Sequence, residues 1–213
     1  MPVKLVDPIL KSLFILCVTT VFLVAGEGVG ESRSHLKGTV SVEGGKKLRN
    51  LVVYLERVGG SMKFSAKSHQ IRQKGRQFQP FLTVILAGDT LQYLNDEDKE
   101  IDHNIYSLSN TATFDLGLGP KGSVLEHTFV RQGKLNFFCS VHKRMEGRVI
   151  ILPTRFFSIL EQPGSFILTD VPPGKWKINI LVLHKRFKSL SKEINIDAMG
   201  DGDISLDLKV VRK

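Results

Sequence analysis

Cys139-Ser140-Val141-His142-Lys143-Arg144-Met145 places a thiol, an imidazole and a thioether within seven residues, in the spacing C-x2-H-x2-M. A thiolate, an imidazole nitrogen and a weak sulfur donor together form the ligand set of a copper electron-transfer site. Such a site needs a second imidazole in its plane. The best upstream candidate is His103, in Ile101-Asp102-His103-Asn104-Ile105-Tyr106-Ser107. Nucleophilic catalysis by Cys139 and His142 is the competing chemistry, and it requires a base facing the thiol and a third group orienting that base. Neither a papain-like nor a caspase-like signature surrounds Cys139. The six histidines contain no His-x-His pair, which speaks against a multicopper oxidase.

The donors must be brought together by the elements around them. Lys134-Leu135-Asn136-Phe137-Phe138 reads as a strand arriving from Gly133, and Arg148-Val149-Ile150-Ile151-Leu152 as a strand leaving from Gly147. Cys139, His142 and Met145 therefore lie on a tight loop between two strands. Upstream, Phe81 to Leu86 reads as a buried strand, Ala87 to Asp96 as a turn, a strand and a polar loop, and Leu125 to Val130 as a further strand. The basic run Ile71 to Pro80 reads as a solvated loop or edge strand. Phe114 to Gly122 holds too many turn residues for a helix. Nearer the start, Leu36 to Val42 alternates as a half-buried strand, Glu43-Gly44-Gly45-Lys46 is a turn, and Leu51-Val52-Val53-Tyr54-Leu55 is a second strand. Val58 to Lys67, with Gly59-Gly60, is the first plausible boundary. No long helical periodicity occurs beyond the first residues, so the fold class predicted is all-β.

The run Ala87-Gly88-Asp89-Thr90, Asn95 and His103-Asn104, followed by the Cys139–Met145 loop, resembles the cupredoxins, above all amicyanin and its plastocyanin and pseudoazurin relatives. The resemblance covers roughly residues 66–153. In layout it is most similar to exported plastocyanin-like proteins often labelled methylamine utilisation proteins, a label that says little about methylamine as a substrate. It implies a blue copper electron carrier with one copper per chain and no substrate chemistry. His103, Cys139 and His142 would form the plane, with Met145 as weak axial ligand. It also implies that Asn104 helps hold the cysteine loop and that His142 lies near the surface as the electron exit. Asp102 stands where amicyanin has proline before the first histidine. A second run, Gly164-Ser165-Phe166-Ile167-Leu168-Thr169-Asp170-Val171-Pro172-Pro173-Gly174-Lys175-Trp176, resembles the carboxypeptidase-regulatory, or transthyretin-like, β-sandwich. In that family the opening strands match Gly38-Thr39-Val40 and Val52-Val53-Tyr54-Leu55. The two resemblances imply a cupredoxin Greek-key β-sandwich (61–153) inserted into a discontinuous transthyretin-like β-sandwich (34–60 and 154–213).

Bulk properties narrow the function classes. A chain of 213 residues with 42% hydrophobic and 24% charged residues has an ordinary globular composition and length for one large or two small domains. The net charge of +9 is accompanied by no basic helix and no interleaved aromatic and basic motif, which argues against nucleic acid. A basic surface favours an acidic redox partner or anionic lipid. Residues 1–26 read as a signal peptide: Lys4 and Lys11, an apolar run from Leu13 to Ala25, and small residues at Ala25-Gly26. An uncleaved anchor is the alternative there, although the apolar run is short for a membrane span. Cleavage would leave a net charge of about +8, no stable membrane insertion, and Cys139 as a lone cysteine in the periplasm. A lone exported thiol is prone to oxidation unless it binds metal. A copper-delivery protein and a metal-free interaction module are the other readings. His127, His35, His69 and His184 read as surface or packed residues. Asn95-Asp96-Glu97-Asp98-Lys99-Glu100 reads as a solvated loop, and Gly200-Asp201-Gly202-Asp203 as a turn, each ahead of a calcium loop.

Overall fold

The computed structural model describes residues 34–197 and 204–213. The expected leader and the Gly200–Asp203 turn lie outside them. Sixteen strands and no α-helix occur among the described residues, so the all-β class holds. The chain opens with β1 (Ser34–Val42) and β2 (Leu51–Arg57). The central segment contributes β3 (Ser68–Lys74), β4 (Gln77–Gln79), β5 (Leu82–Leu86), β6 (Thr90–Asn95), β7 (His103–Ser109), β8 (Ala112–Gly119), β9 (Val124–Thr128), β10 (Gly133–Phe138) and β11 (Glu146–Leu152). The chain then returns with β12 (Phe157–Leu160), β13 (Ser165–Val171), β14 (Gly174–Leu181), β15 (Leu190–Ile196) and β16 (Ile204–Val210).

The first two strands do not pair with the central segment. β1 lies between β13 (antiparallel) and β16 (parallel), and β2 lies between β12 and β14, with β15 beyond β14. Their inward side chains, Leu36, Val40, Leu51, Val53, Leu55, Phe166, Ile178 and Ile180 among them, pack as one core. Trp176 is fully buried at its centre, meets Phe156 edge-on at 5.4 Å, and donates its indole N–H to the carbonyl of Pro172 at 2.9 Å. That bond removes the cost of burying an unpaired indole N–H.

The central segment makes its own two sheets, β5-β11-β10-β7-β8 and β4-β3-β6-β9. Ile71, Leu91, Tyr93, Ile105, Phe137, Val149 and Ile151 fill the space between them. The run expected to be a solvated loop or edge strand is a hairpin: β4 is the edge, but β3 is internal, with Ile71 and Phe78 buried. Its lysines and arginines hid an alternation in which every second residue points inward.

A third apolar cluster joins the two sandwiches. Val52, Val84, Ile150 and Leu152 are buried together, with Tyr54, Leu82, Leu86 and Leu181 against them. Alternate residues of β2 and β11 therefore face two different cores, which is why residues 51–55 and 149–152 are unbroken runs of apolar and aromatic side chains. We propose that 61–153 is an inserted domain. Expressed alone, this fragment should give a cooperatively unfolding β-protein by circular dichroism. A fragment that stays unfolded would make the two sandwiches a single cooperative unit.

Asp89, in the turn between β5 and β6, is a buried carboxylate. It accepts hydrogen bonds from the backbone N–H groups of Lys67 (2.8 Å) and Leu86 (2.9 Å) and contacts His69 Nε2 at 2.8 Å. Burial alone would raise its pKa; the Leu86 and Lys67 N–H groups and His69 outweigh it and hold the carboxyl below the ordinary carboxylate range. A depressed folded pKa gives stability that is complete above the unfolded value, near pH 4, and is lost as pH falls through the folded one. Asp89→Asn should cost about 1–3 kcal/mol at neutral pH. Denaturation curves should also show a shallower loss of stability than wild type between roughly pH 5 and pH 2.

Candidate metal centre

β10 ends at Phe138 and β11 begins at Glu146, so the loop between them is short enough to be closed by its own backbone. The N–H of Cys139 donates to the carbonyl of Met145 at 3.0 Å, and the N–H of Met145 donates to that of His142 at 2.9 Å. Beyond the loop, Gly147 lies under the Phe137 ring, in space that a Cβ would need. The strand pair is thereby fixed at close approach directly behind the loop.

His103 arrives from the first residue of β7, in the same sheet. The structure brings together the three donors expected from the sequence: His103 Nδ1 lies 3.8 Å and His142 Nδ1 3.7 Å from Cys139 Sγ, and all three ligand atoms lie within 4.8 Å of one another. The imidazole centroids are 4.9 Å apart. His103, Cys139 and Met145 are buried, and His142 is partly exposed. Met145 packs in the same core cluster as Cys139.

These spacings suit a small ion. Nitrogen and sulfur bound at about 2.0 and 2.3 Å, 120° apart, stand about 3.7 Å from each other. One soft sulfur and two imidazoles on a plane, with a thioether nearby, match copper better than a hard cation. A Cys–His catalytic pair fits less well, because both imidazoles present the same nitrogen to one thiol.

The partners of each donor fix its orientation. Cys139 Sγ accepts the backbone N–H of Asn104 at 3.4 Å, and the Asn104 side-chain oxygen accepts the N–H of Ser140, also at 3.4 Å. The Asn104 amide donates in turn to Asp115 (2.6 Å) and to the carbonyl of Gly117 (3.1 Å). Asn104 thus ties β7 and β8 to the cysteine loop, the role implied by the cupredoxin resemblance.

Glu97 was not foreseen. Instead of lying in a solvated loop it is buried, with Oε1 2.9 Å from His103 Nε2. Its carboxylate also accepts the N–H groups of Gly75 (3.0 Å) and Arg76 (2.7 Å) at the tip of the β3–β4 hairpin. Both tip residues have positive φ, 61° and 56°, the pattern of a tight type I′ turn. Arginine is a costly occupant of that region, and the Glu97 clamp offsets the strain. Burial would raise the Glu97 pKa, but the Arg76 N–H, His103 and the Gly75 N–H together hold it low. An ionised carboxylate only accepts, so the His103 Nε2 that faces Glu97 bears a proton, and Nδ1 is the ring nitrogen left facing Cys139 to serve as a ligand. A signal for Glu97 did exist: Leu91, Tyr93 and Asn95 point inward from β6, and two residues further the same alternation reaches Glu97.

His142 is held below the usual histidine range, first by burial and then by the charges of His103 and Arg76, with Glu97 opposing. It therefore offers a neutral lone pair at neutral pH. His127 is a packed residue, stacked on Phe114 at 4.1 Å and edge-on to Phe129 at 4.6 Å. His35 and His184 are exposed, and His69 contacts Asp89.

No protein-family model matches the chain, and no curated protein matches it. Among solved structures it is similar to an oxidised amicyanin variant, at 16% identity over 39% of this chain and 80% of that one, with a TM-score of 0.36. It is also similar to a reduced amicyanin variant (18% identity, 46% and 87% covered, TM-score 0.36) and to a purple cupredoxin from Nitrosopumilus maritimus (26% identity, 39% and 98% covered, TM-score 0.35).

Because Glu97 orients His103 and pins the hairpin, Glu97→Ala should weaken copper binding by about 10- to 100-fold in a competition titration. Substitution of the exposed Glu100 should leave the affinity unchanged.

Proposed function

We propose that this chain is a single-copper electron-transfer protein, with His103, Cys139 and His142 as equatorial ligands and Met145 as the weak axial one. The observation that carries the reading is the convergence of two imidazole Nδ1 atoms on one buried cysteine sulfur at 3.7 and 3.8 Å. Bound copper would supply one-electron redox chemistry. Everything else is the work of the chain: Asn104 and Glu97 orient two of the donors, and burial of Cys139 and Met145 keeps bulk water from them. Cys139 gives up its proton on binding metal, so affinity should rise with pH until the ligands are deprotonated.

His142 is the donor that reaches the surface. It lies in a depression with Arg76, Gln77, Val141, Lys143 and Arg144, and Val141 is 50% exposed beside it. An apolar spot ringed by cations suits a redox partner with an acidic face, brought in by long-range attraction. The leader-like segment 1–26 and the lone cysteine that remains without it support export to the periplasm as part of the same proposal. Among the described residues no helix is long and apolar enough to cross a membrane.

Copper(II) added to the purified protein should produce an intense visible thiolate charge-transfer band that saturates at one equivalent. Cys139→Ser should abolish it. A colourless one-to-one complex would instead favour storage or delivery. The docking surface has a separate test: Lys143→Glu/Arg144→Glu should slow oxidation of the reduced protein by hexacyanoferrate(III) roughly tenfold at low ionic strength, with the visible band unchanged. A wild-type rate insensitive to salt would remove the steering role.

A further inference from the structure

A second cleft, of about 530 Å³, gathers positive charge from four parts of the chain. The β1–β2 connection supplies Lys46, Lys47 and Arg49. Arg148 comes from β11, Arg186 from the segment after β14, and Arg212 from the residues after β16. No carboxylate lines this cleft, and none of these six cations takes part in an ion pair among the described residues. Two carboxylates lie close by: Glu43 accepts the backbone N–H of Arg212 at 2.8 Å, and Glu161 lines an adjoining depression with Lys47 and Arg49 without forming an ion pair among the described residues. Like charges repel when they share a concavity, so their convergence here has an electrostatic cost that a bound anion would offset.

The walls are held in place. Arg148 is half-buried; its Nε donates to Asn136 Oδ1 at 2.8 Å and its guanidinium lies 5.7 Å from the centre of the Phe81 ring. Among the described residues its remaining guanidinium N–H donors have no hydrogen-bond partner. Opposite, the segment carrying Arg186 is joined to the residues after β16 by backbone bonds from Lys188 to Val211 (3.0 Å) and from Lys213 to Arg186 (3.1 Å). Arg212 lies over the Phe187 ring. Leu48 and Phe187, both buried, give the cleft an apolar floor.

The geometry points to an anion site at which Arg49, Arg148, Arg186 and Arg212 bind a phosphate-bearing group, while Leu48 and Phe187 take an adjoining apolar portion. Guanidinium forks match phosphate oxygens in pairs, and a cleft contributed by two sandwiches is a common setting for a small ligand. The site is independent of copper: its residues include none of the four proposed ligands.

The test uses the full chain in about 0.15 M salt, an ionic strength that screens weak surface attraction. Inorganic pyrophosphate, followed by calorimetry, should bind at one saturable site. Arg49→Gln/Arg186→Gln, which alters exposed side chains, should weaken that binding at least tenfold, and Lys143→Gln/Arg144→Gln should leave it unchanged. Vesicles of phosphatidylglycerol, with phosphatidylcholine as the reference, separate the sources. Sedimentation with the anionic vesicles that Arg49→Gln/Arg186→Gln abolishes supports a lipid headgroup; pyrophosphate binding without sedimentation supports a soluble phosphate compound. The proposal is overturned if wild type binds neither probe, if Arg49→Gln/Arg186→Gln binds as wild type does, or if Lys143→Gln/Arg144→Gln removes the binding.

Discussion

Burial of β11 on both faces is the constraint on which the rest of the structure depends. Val149 and Ile151 close the core behind the cysteine loop, while Ile150 and Leu152 meet Val52 and Val84 from the other side. From Val149 to Leu152 the strand has no solvent face, and a polar residue at any of these four positions would be buried without a partner. The strand also fixes the metal-site loop, because its register against β10 pairs Phe138 with Glu146 and Phe137 with Gly147. A shift of one residue would send Val149 and Ile151 to the wrong core and move Met145 relative to Cys139. The same hydrophobic pattern that joins the sandwiches therefore sets the spacing of the donors.

Within the site, polar groups do what packing cannot. Imidazole rings can pack in more than one orientation, and apolar contact does not select which nitrogen carries the proton. Glu97 selects it for His103, at the expense of burying a carboxylate, and three donors offset that cost. Asn104 performs the matching task for Cys139: its backbone N–H points at the sulfur and its side chain holds the next residue of the loop. Both residues bond to elements outside the loop, so the donors are held by the whole sandwich and not by the seven-residue loop alone.

The parts of the site legible in the sequence were those whose meaning is local. C-x2-H-x2-M between two apolar runs is read directly, since a short loop forces its side chains together. His103 followed from the cupredoxin resemblance, in which one histidine precedes the Cys139–Met145 loop. Glu97 was hidden because four carboxylates occur between Asp96 and Glu100, and composition does not say which one turns inward. Only the alternation inherited from β6 does. In the same way, Leu51 to Leu55 was readable as a strand, but its continuous apolar run does not name the two surfaces it serves. The hairpin at Ile71 to Pro80 was misread in part because charge on the outward residues outweighed two inward apolar ones. Each miss has one cause: the sequence shows a period, and the partner on each face is a tertiary fact.

The two cationic regions differ in a way that charge counting does not reveal. Around His142 the cations flank an exposed apolar residue at the edge of a depression, the form that the proposed brief docking of an acidic surface requires. Around Arg148 they line a cleft with a buried apolar floor, and two of the guanidiniums are braced against aromatic rings. Cations on mobile loops lose conformational entropy when they bind, whereas braced ones have already lost it. The first region thus suits brief encounter and the second retention. Both depend on β11, since Met145 precedes this strand directly and Arg148 lies within it, so the strand that positions the donors also holds a cation for the second cleft.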